Sequence, residues 1–155
     1  MSHFSPEKQN DKRIRGRGAT FNTSARFLRE QREIIADDWS DFREDDSALK
    51  TTVTIEHPKS IISRNTSPDL PFDRSINPYR GCEHGCIYCY ARPTHAYMDL
   101  SPGLDFESKL FAKPDAPALL EKTLSAPSYQ CQPIAFGTNT DPYQPIEKDY
   151  GITRD

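Results

Sequence analysis

Short runs of β-branched and apolar residues predict the strands of this protein. Residues 51–55 alternate between polar and apolar positions, the period of a strand, and residues 60–62 are expected to pair with them across a turn at residues 57–58. Residues 133–136 are predominantly apolar without alternation, which is typical of a buried parallel strand. Residues 75–79 predict a further strand that leads directly into a cysteine-rich loop.

Apolar periodicity and capping residues predict the helices. Leucines share one face of a helix over residues 116–125, and Asp115 is its expected N-cap. Residues 91–98 predict one or two helical turns, and residues 24–36 a short amphipathic helix. Residues 109–113 are apolar enough for another short strand, whose place in a sheet the pattern does not fix.

The order of these elements predicts an α/β fold. A strand, the cysteine loop, a helix and the strand at residues 133–136 form one βαβ unit, and the second strand ends at a polar turn over residues 137–141. In α/β barrels the chemistry lies at the carboxyl ends of the strands. We therefore expect functional residues at both strand ends.

Composition limits how much of the chain is packed core. The 155 residues suffice for one domain, but only 35% are hydrophobic, 28% are charged and 13 are prolines, so part of the chain is expected to be irregular. The net charge of -3 gives no global attraction for nucleic acid. No apolar run approaches the roughly 20 residues of a membrane span, and no signal peptide is evident. We expect a cytoplasmic protein without a membrane partner.

The N-terminal region differs in character from the rest. Residues 1–63 are predicted to be a partly disordered extension, and residues 64–155 the start of the main domain. A disordered leader is the favoured interpretation of residues 1–20. The alternative is a basic arm that binds a phosphate backbone or a partner, formed by Lys12, Arg13, Arg15 and Arg17.

Three of the four cysteines lie within eight residues. Cys82, Cys86 and Cys89 are spaced C-x3-C-x2-C, with Tyr88 directly before the last thiol. Thiolates are the usual ligands of iron–sulfur clusters, and a cubane cluster normally takes four of them. With three protein ligands one iron keeps an open position, which is typical of a reactive centre rather than a structural one.

A structural zinc site is the alternative that the cysteines leave open. The loop thiols together with His84 or Cys131 supply four possible ligands. Zinc sites more often use paired C-x2-C elements, and only Cys86 and Cys89 form such a pair. His84 lies between two of the cysteines, where it is poorly placed to reach the same ion. Clustered cysteines without a signal peptide also disfavour a disulfide framework.

Three sequence blocks resemble the radical S-adenosylmethionine (radical SAM) superfamily. They are the cysteine loop GCEHGCIYCY at residues 81–90, its flanks SINPYR at 75–80 and ARPTHAY at 91–97, and the block GTNTDPYQPIE at 137–147. Together they are similar to the spore photoproduct lyase branch, a DNA repair photolyase type. The match runs from about residue 64 to the last residue.

This resemblance implies a cofactor set and the residues that hold it. Cys82, Cys86 and Cys89 would ligate a [4Fe–4S] cluster whose open iron is chelated by S-adenosylmethionine. One electron from the reduced cluster would then yield a 5′-deoxyadenosyl radical that abstracts hydrogen from a substrate. Tyr88 would lie near the adenine. The methionine end would be held by the turn Gly137, Thr138, Asn139, Thr140 and Asp141.

The resemblance also implies a lyase-like enzyme with a flavodoxin- or ferredoxin-type electron donor. Its nearest analogy for a substrate is nucleic acid, and fold and cofactor alone do not fix that substrate. No catalytic residue is assigned. The alternative is a zinc-binding module for nucleic acid or protein interaction.

The fold that the resemblance implies is an incomplete radical SAM partial (β/α) barrel. Such a barrel has six strands, and this chain would hold only the first two or three of them, so we expect an N-terminal fragment that is inactive alone. Other residues after the loop either face a substrate or pack beneath it, namely Tyr90, Arg92, His95 and Tyr97. Cys131 matches the analogy of a hydrogen-atom donor, but its place before a strand favours a bystander thiol.

Overall fold

The computed structural model of the protein describes residues 16–24, 26–27 and 49–155. Its architecture is mixed α/β. In chain order the elements are strands β1 Thr52–Ile55, β2 Ile62–Arg64, β3 Arg74–Ile76 and β4 Tyr79–Arg80, a 3₁₀ helix Arg92–Met98, helix α1 Leu104–Ser108, strand β5 Lys109–Ala112, helix α2 Ala116–Leu124, strand β6 Ala135–Phe136 and helix α3 Glu147–Tyr150. None of the helices in these ranges is long and apolar enough to cross a membrane.

The strands form two small sheets. The first has the order β1-β5-β4, with β1 parallel and β4 antiparallel to β5. The second has the order β2-β3-β6, with β2 antiparallel and β6 parallel to β3. Residues 49–155 thus form two three-stranded sheets and show no barrel, and the partial barrel stays a prediction.

Two strand predictions are wrong in their pairing. Residues 51–55 and 60–62 do not pair with each other, because β1 pairs with β5 and β2 pairs with β3. The Glu56 amide donates to the Ala112 carbonyl at 2.8 Å, so the chain continues along β5 instead of turning back. The strand predicted over residues 75–79 is split at Pro78, which has no amide hydrogen to extend a ladder.

Other elements are confirmed. The predicted helix over residues 116–125 is α2, and residues 91–98 and 109–113 contain the 3₁₀ helix and β5. The strand predicted over residues 133–136 is present as the short β6 and is parallel to β3, but it is not buried as expected, since Phe136 is 47% exposed. The helix predicted over residues 24–36 falls almost entirely outside the described residues.

One apolar core joins the two sheets. Side chains from both contribute to it, and it also includes residues from α2 and from the ends of α3, as Ile61, Ile76, Tyr79, Leu110, Ala112, Ala116, Ile146 and Ile152. Strand β2 spans the expected boundary between residues 63 and 64. Residues 53, 61 and 62 of the N-terminal extension therefore pack into the same core as the main domain.

Candidate metal-binding cysteine loop

The cysteine loop begins where β4 ends, at a residue that has to be glycine. Gly81 has a φ of +74°, and a Cβ atom there would lie 2.7 Å from a Leu110 methyl group and 2.9 Å from the Phe106 carbonyl oxygen. The next amide, that of Cys82, donates to the same Phe106 carbonyl at 3.0 Å. The loop is thus fixed against the end of α1 as it leaves the sheet.

The three loop cysteines are free thiols. Cys82 is buried, and Cys86 and Cys89 are half-buried. Cys82 and Cys89 pack in one small apolar cluster with Phe106, and the Cys89 amide donates to the Cys86 carbonyl at 3.2 Å. Gly85, with a φ of +66°, allows the chain to reverse between the first two thiols.

Electrostatics around Cys82 have opposing effects. Burial raises the pKa of its thiol, while hydrogen bonds from the amides of His84 and Asp141 act in the other direction. A positively charged metal centre stabilises the thiolate form and removes the cost of ionising a buried thiol. The thiol is therefore suited to a metal ligand more than to a free nucleophile.

The donor set fits a thiolate-bound metal. Three free thiols on one short loop have the chemistry that iron–sulfur clusters and zinc both select. Within the described residues, no three His, Cys, Asp or Glu side chains are already gathered as metal ligands. Binding would therefore require the sulfurs to draw together.

The polar turn after β6 reaches the cysteine loop. The Thr140 hydroxyl donates to the Gly81 carbonyl at 2.6 Å, and His84 Nε2 lies 3.3 Å from a carboxylate oxygen of Asp141. The turn itself is fixed to the second sheet, because the Gly137 amide donates to the Ile76 carbonyl at 2.9 Å. Two of the predicted site residues, Thr140 and Asp141, thus contact the loop directly.

Asn77, which lies between β3 and β4, holds the Thr138 side chain and the Asn139 backbone of the turn. Asn77 Oδ1 accepts from the Asn139 amide at 2.7 Å, and its Nδ2 donates to the Thr138 hydroxyl at 3.2 Å. The Tyr90 hydroxyl donates to the Thr138 carbonyl. Asn77 and Tyr90 therefore connect the turn to both flanks of the cysteine loop.

Gln144 is a site residue that the sequence reasoning missed. Its side chain is 1% exposed, and its amide nitrogen donates to the Gly81 carbonyl at 3.3 Å and the Thr140 hydroxyl at 3.1 Å. Its oxygen accepts from the Glu83 amide at 3.1 Å. It lies in the resembling block at residues 137–147, but only the fold shows that this glutamine is buried beneath the loop.

Tyr88 lies at the exposed tip of the loop. Its side chain is 86% exposed, and that of Ile87 is 82% exposed. A free aromatic face of this kind is available for stacking on a planar ligand. Its assignment to an adenine ring stays a prediction.

Two of the residues after the loop are interior. Arg92 bonds to backbone and carboxylate groups beneath the loop, and His95 is fully buried against Phe106 with ring centroids 5.0 Å apart. Tyr97 stacks on Phe27 at 5.6 Å. Arg92 and His95 thus pack beneath the loop. Cys131 is exposed in the segment before β6.

The basic N-terminal arm is only partly described, and its described end is packed. Residues 16–19 lie against the cysteine loop, where Arg17 forms an ion pair with Glu83 at 2.9 Å and bonds to Glu107. The buried Glu107 carboxylate accepts from the amides of residues 17–19, and the Gly16 amide donates to the Ala19 carbonyl at 2.8 Å, so these four residues depart from the disordered leader favoured for residues 1–20. No local sequence pattern at Glu107 predicts its bonds to the N-terminal arm.

The chain is similar to bacterial and archaeal proteins that are described as uncharacterized. Over 83 residues the chain is 48% identical to uncharacterized proteins of Mycobacterium bovis and Mycobacterium tuberculosis, an alignment that covers 54% of this chain and 24% of each relative. An uncharacterized protein of Methanocaldococcus jannaschii is 32% identical over 80 residues, covering 51% of this chain and 27% of the relative.

The chain thus spans about a quarter of the length of these relatives. No family model and no solved structure matches it. The activity of the whole protein is consequently a matter for proposal, argued from the residues of the site.

Proposed function

We propose that this chain is the cofactor-binding part of a radical SAM enzyme of the spore photoproduct lyase type. Cys82, Cys86 and Cys89 would hold a [4Fe–4S] cluster. When bound, the reduced cluster supplies the electron that cleaves S-adenosylmethionine to a 5′-deoxyadenosyl radical. The substrate class that the analogy favours is nucleic acid, with a flavodoxin- or ferredoxin-type protein as electron donor and the cytoplasm as location.

The observation that carries this proposal is the contact between the cysteine loop and the turn at residues 137–141. Thr140 bonds to Gly81, directly before the first thiol, and Asp141 lies beside His84 within the loop. A zinc site that serves only folding has no need for a second polar segment at its edge. A metal centre that also binds a polar cofactor does need one.

The residues of the turn can bind an amino acid in defined ways. Asp141 offers a carboxylate for an ammonium group, and the hydroxyl of Thr138 is a donor and acceptor. The exposed ring of Tyr88 can cover one face of a base by stacking. In this arrangement the chain supplies positioning, and the reactive chemistry belongs to the cofactors.

Electron paramagnetic resonance on the anaerobically reconstituted, reduced protein tests the proposal. We expect about four irons and four sulfides per chain and a [4Fe–4S]⁺ signal, consistent with a cubane cluster. Addition of S-adenosylmethionine should change the shape of that signal, because the cofactor occupies the open iron. One zinc without sulfide would instead support the alternative, an interaction module.

Two cysteine variants make a matched pair for this experiment. Cys86→Ser should abolish cluster assembly, since a loop ligand is lost. Cys131→Ser changes the exposed thiol outside the loop and should retain the iron content and signal of the unmodified chain. Equal iron in both variants would show that the metal is bound elsewhere, and the proposal would fail.

A further inference from the structure

The described end of the N-terminal arm forms a strap, defined here as residues 16–19, that lies over the cysteine loop. The strap amides of Arg17, Gly18 and Ala19 all donate to the Glu107 carboxylate, at 2.6, 3.0 and 2.8 Å. Glu107 is fully buried at the end of α1. A buried carboxylate with this many donors is a strong local anchor.

The same carboxylate is connected to the loop itself. Arg92 forms an ion pair with Glu107 at 2.5 Å, and its Nη2 and Nε donate to the Cys86 carbonyl at 3.0 and 3.3 Å. Burial on its own raises the pKa of Glu107, but the Arg92 guanidinium and the strap amides outweigh it and keep the carboxyl group below its ordinary pKa. Glu107 thus joins the strap to the backbone of a thiol residue.

The strap also contacts the loop directly at two points. The Arg17 guanidinium pairs with Glu83, the residue after the first thiol, at 2.9 Å. Gly18 lies so close to Gly85 that a Cβ atom on Gly18 would be 1.8 Å from the Gly85 carbonyl oxygen. The loop is therefore bonded both to the strap and to the buried Gln144.

We propose that the strap and Glu107 hold the backbone of the cysteine loop in place, so that its three sulfurs can draw together on a metal centre, with Glu107 as the positioning residue. Loss of the strap would let the loop open, expose its thiols and release a bound cluster. The part of this inference that concerns a cluster rests on the proposed function. The part that concerns the loop applies to any thiol-bound metal.

Thiol alkylation of the metal-free chain tests the loop directly. Iodoacetamide labelling of each cysteine is followed by mass spectrometry, with the exposed Cys131 as an internal reference. In the unmodified chain Cys82 and Cys86 should react more slowly than Cys131. In Gly18→Ala and in Glu107→Gln, we expect the labelling rates of Cys82 and Cys86 to rise about tenfold, as a locally opened segment reacts faster.

Matched controls separate loop opening from general destabilisation. Gly103→Ala creates a similar clash, because its Cβ atom would lie 2.0 Å from the carbonyl oxygen of Phe21. Phe21 follows the strap in the N-terminal segment. Glu56→Gln breaks another arginine–glutamate pair, that with Arg80. Both should leave the loop thiols protected. Unchanged rates in Gly18→Ala and Glu107→Gln, or equal rises in the controls, would overturn the proposal.

A second readout uses the loaded protein. Cluster loss to a chelator, followed by visible absorbance, should be about tenfold faster in Gly18→Ala than in Gly103→Ala, as expected for a more frequently opened loop. The signal shape of the remaining reduced cluster should also change, because the backbone around Cys86 has moved. If the unmodified chain binds zinc and no cluster, the proposed function fails, while zinc release and thiol labelling still decide the strap inference.

Discussion

Individual polar residues, buried beneath the cysteine loop, determine its shape. Glu107, Gln144 and His95 are each at most 1% exposed, and each bonds to the backbone of a neighbouring segment. Buried polar groups cost free energy unless they are paired, so they specify one arrangement of the segments they join. We infer that the loop is held by these contacts more than by apolar packing.

At pH values below neutrality, His95 is expected to weaken the fold. The His95 Nε2 donates to the Lys109 carbonyl at 2.9 Å. Burial lowers the pKa of His95 below the ordinary 6.5. The Arg80 charge lowers this pKa further, and the Asp105 carboxylate opposes the shift. The folded chain therefore keeps the ring neutral while the unfolded chain takes up a proton. The stabilisation from the neutral His95 is therefore fully present above about pH 7. The free energy of unfolding falls as the pH drops below 6.5, by up to about 1.4 kcal/mol per pH unit.

Urea unfolding between pH 8 and pH 5.5 measures this dependence. In His95→Gln, which keeps a donor for Lys109 without a titrating ring, the slope over this range should be flatter than in the unmodified chain. A stability of the unmodified chain that stays constant down to pH 5.5 would contradict the prediction.

The residues that sequence could identify are those with a characteristic spacing. The C-x3-C-x2-C pattern singled out Cys82, Cys86 and Cys89 because closely spaced thiols on one short loop can converge on one metal centre. Glu107 and Gln144 have no such pattern, since the sequence alone does not distinguish a buried Glu or Gln from an exposed one. Only their burial and partners reveal their role.

At the scale of elements, sequence predicted where strands and helices lie better than which strands pair. Local periodicity placed α2 and β6, because period and capping are properties of neighbouring residues. The partner of β1 is β5, more than fifty residues away in the chain, and no local signal encodes that choice. The hairpin expected near residues 57–58 was therefore wrong.

Helix α2 provides a test of local capping. Asp115 occupies the expected N-cap position, but its side chain makes no capping hydrogen bond and instead pairs with His57 at 2.5 Å. Both partners are well exposed, and exposed ion pairs contribute little. We expect Asp115→Ala to lower the free energy of unfolding by less than about 0.5 kcal/mol, where a true N-cap would cost about 1 kcal/mol. Chemical denaturation measures the difference, and a loss of about 1 kcal/mol or more would show that Asp115 caps the helix in solution.

At the scale of the whole molecule, the candidate site lies where the two sheets meet. Strand β4 of the first sheet leads into the cysteine loop, and β6 of the second sheet leads into the turn at residues 137–141. The segment between β3 and β4 connects the sheets. There the Asn77 carbonyl accepts from the buried Lys113 ammonium at 2.9 Å, while the Asn77 side chain bonds to Thr138 and Asn139.

Asn77 should therefore set the position of the turn without setting that of the thiols. In Asn77→Ala the backbone amide of Asn139 loses its acceptor. An amide left without a hydrogen-bond partner typically costs about 1–2 kcal/mol of stability. If the chain binds S-adenosylmethionine as proposed, binding should be about tenfold weaker in an anaerobic titration followed by electron paramagnetic resonance, with iron and sulfide content unchanged. Asn65→Ala, which removes a comparable side-chain bond to the Phe72 carbonyl at 2.8 Å, should leave binding unaltered. Loss of iron in Asn77→Ala would mean that this asparagine supports the cysteine loop as well, and unaltered binding would mean that the turn does not contact the cofactor.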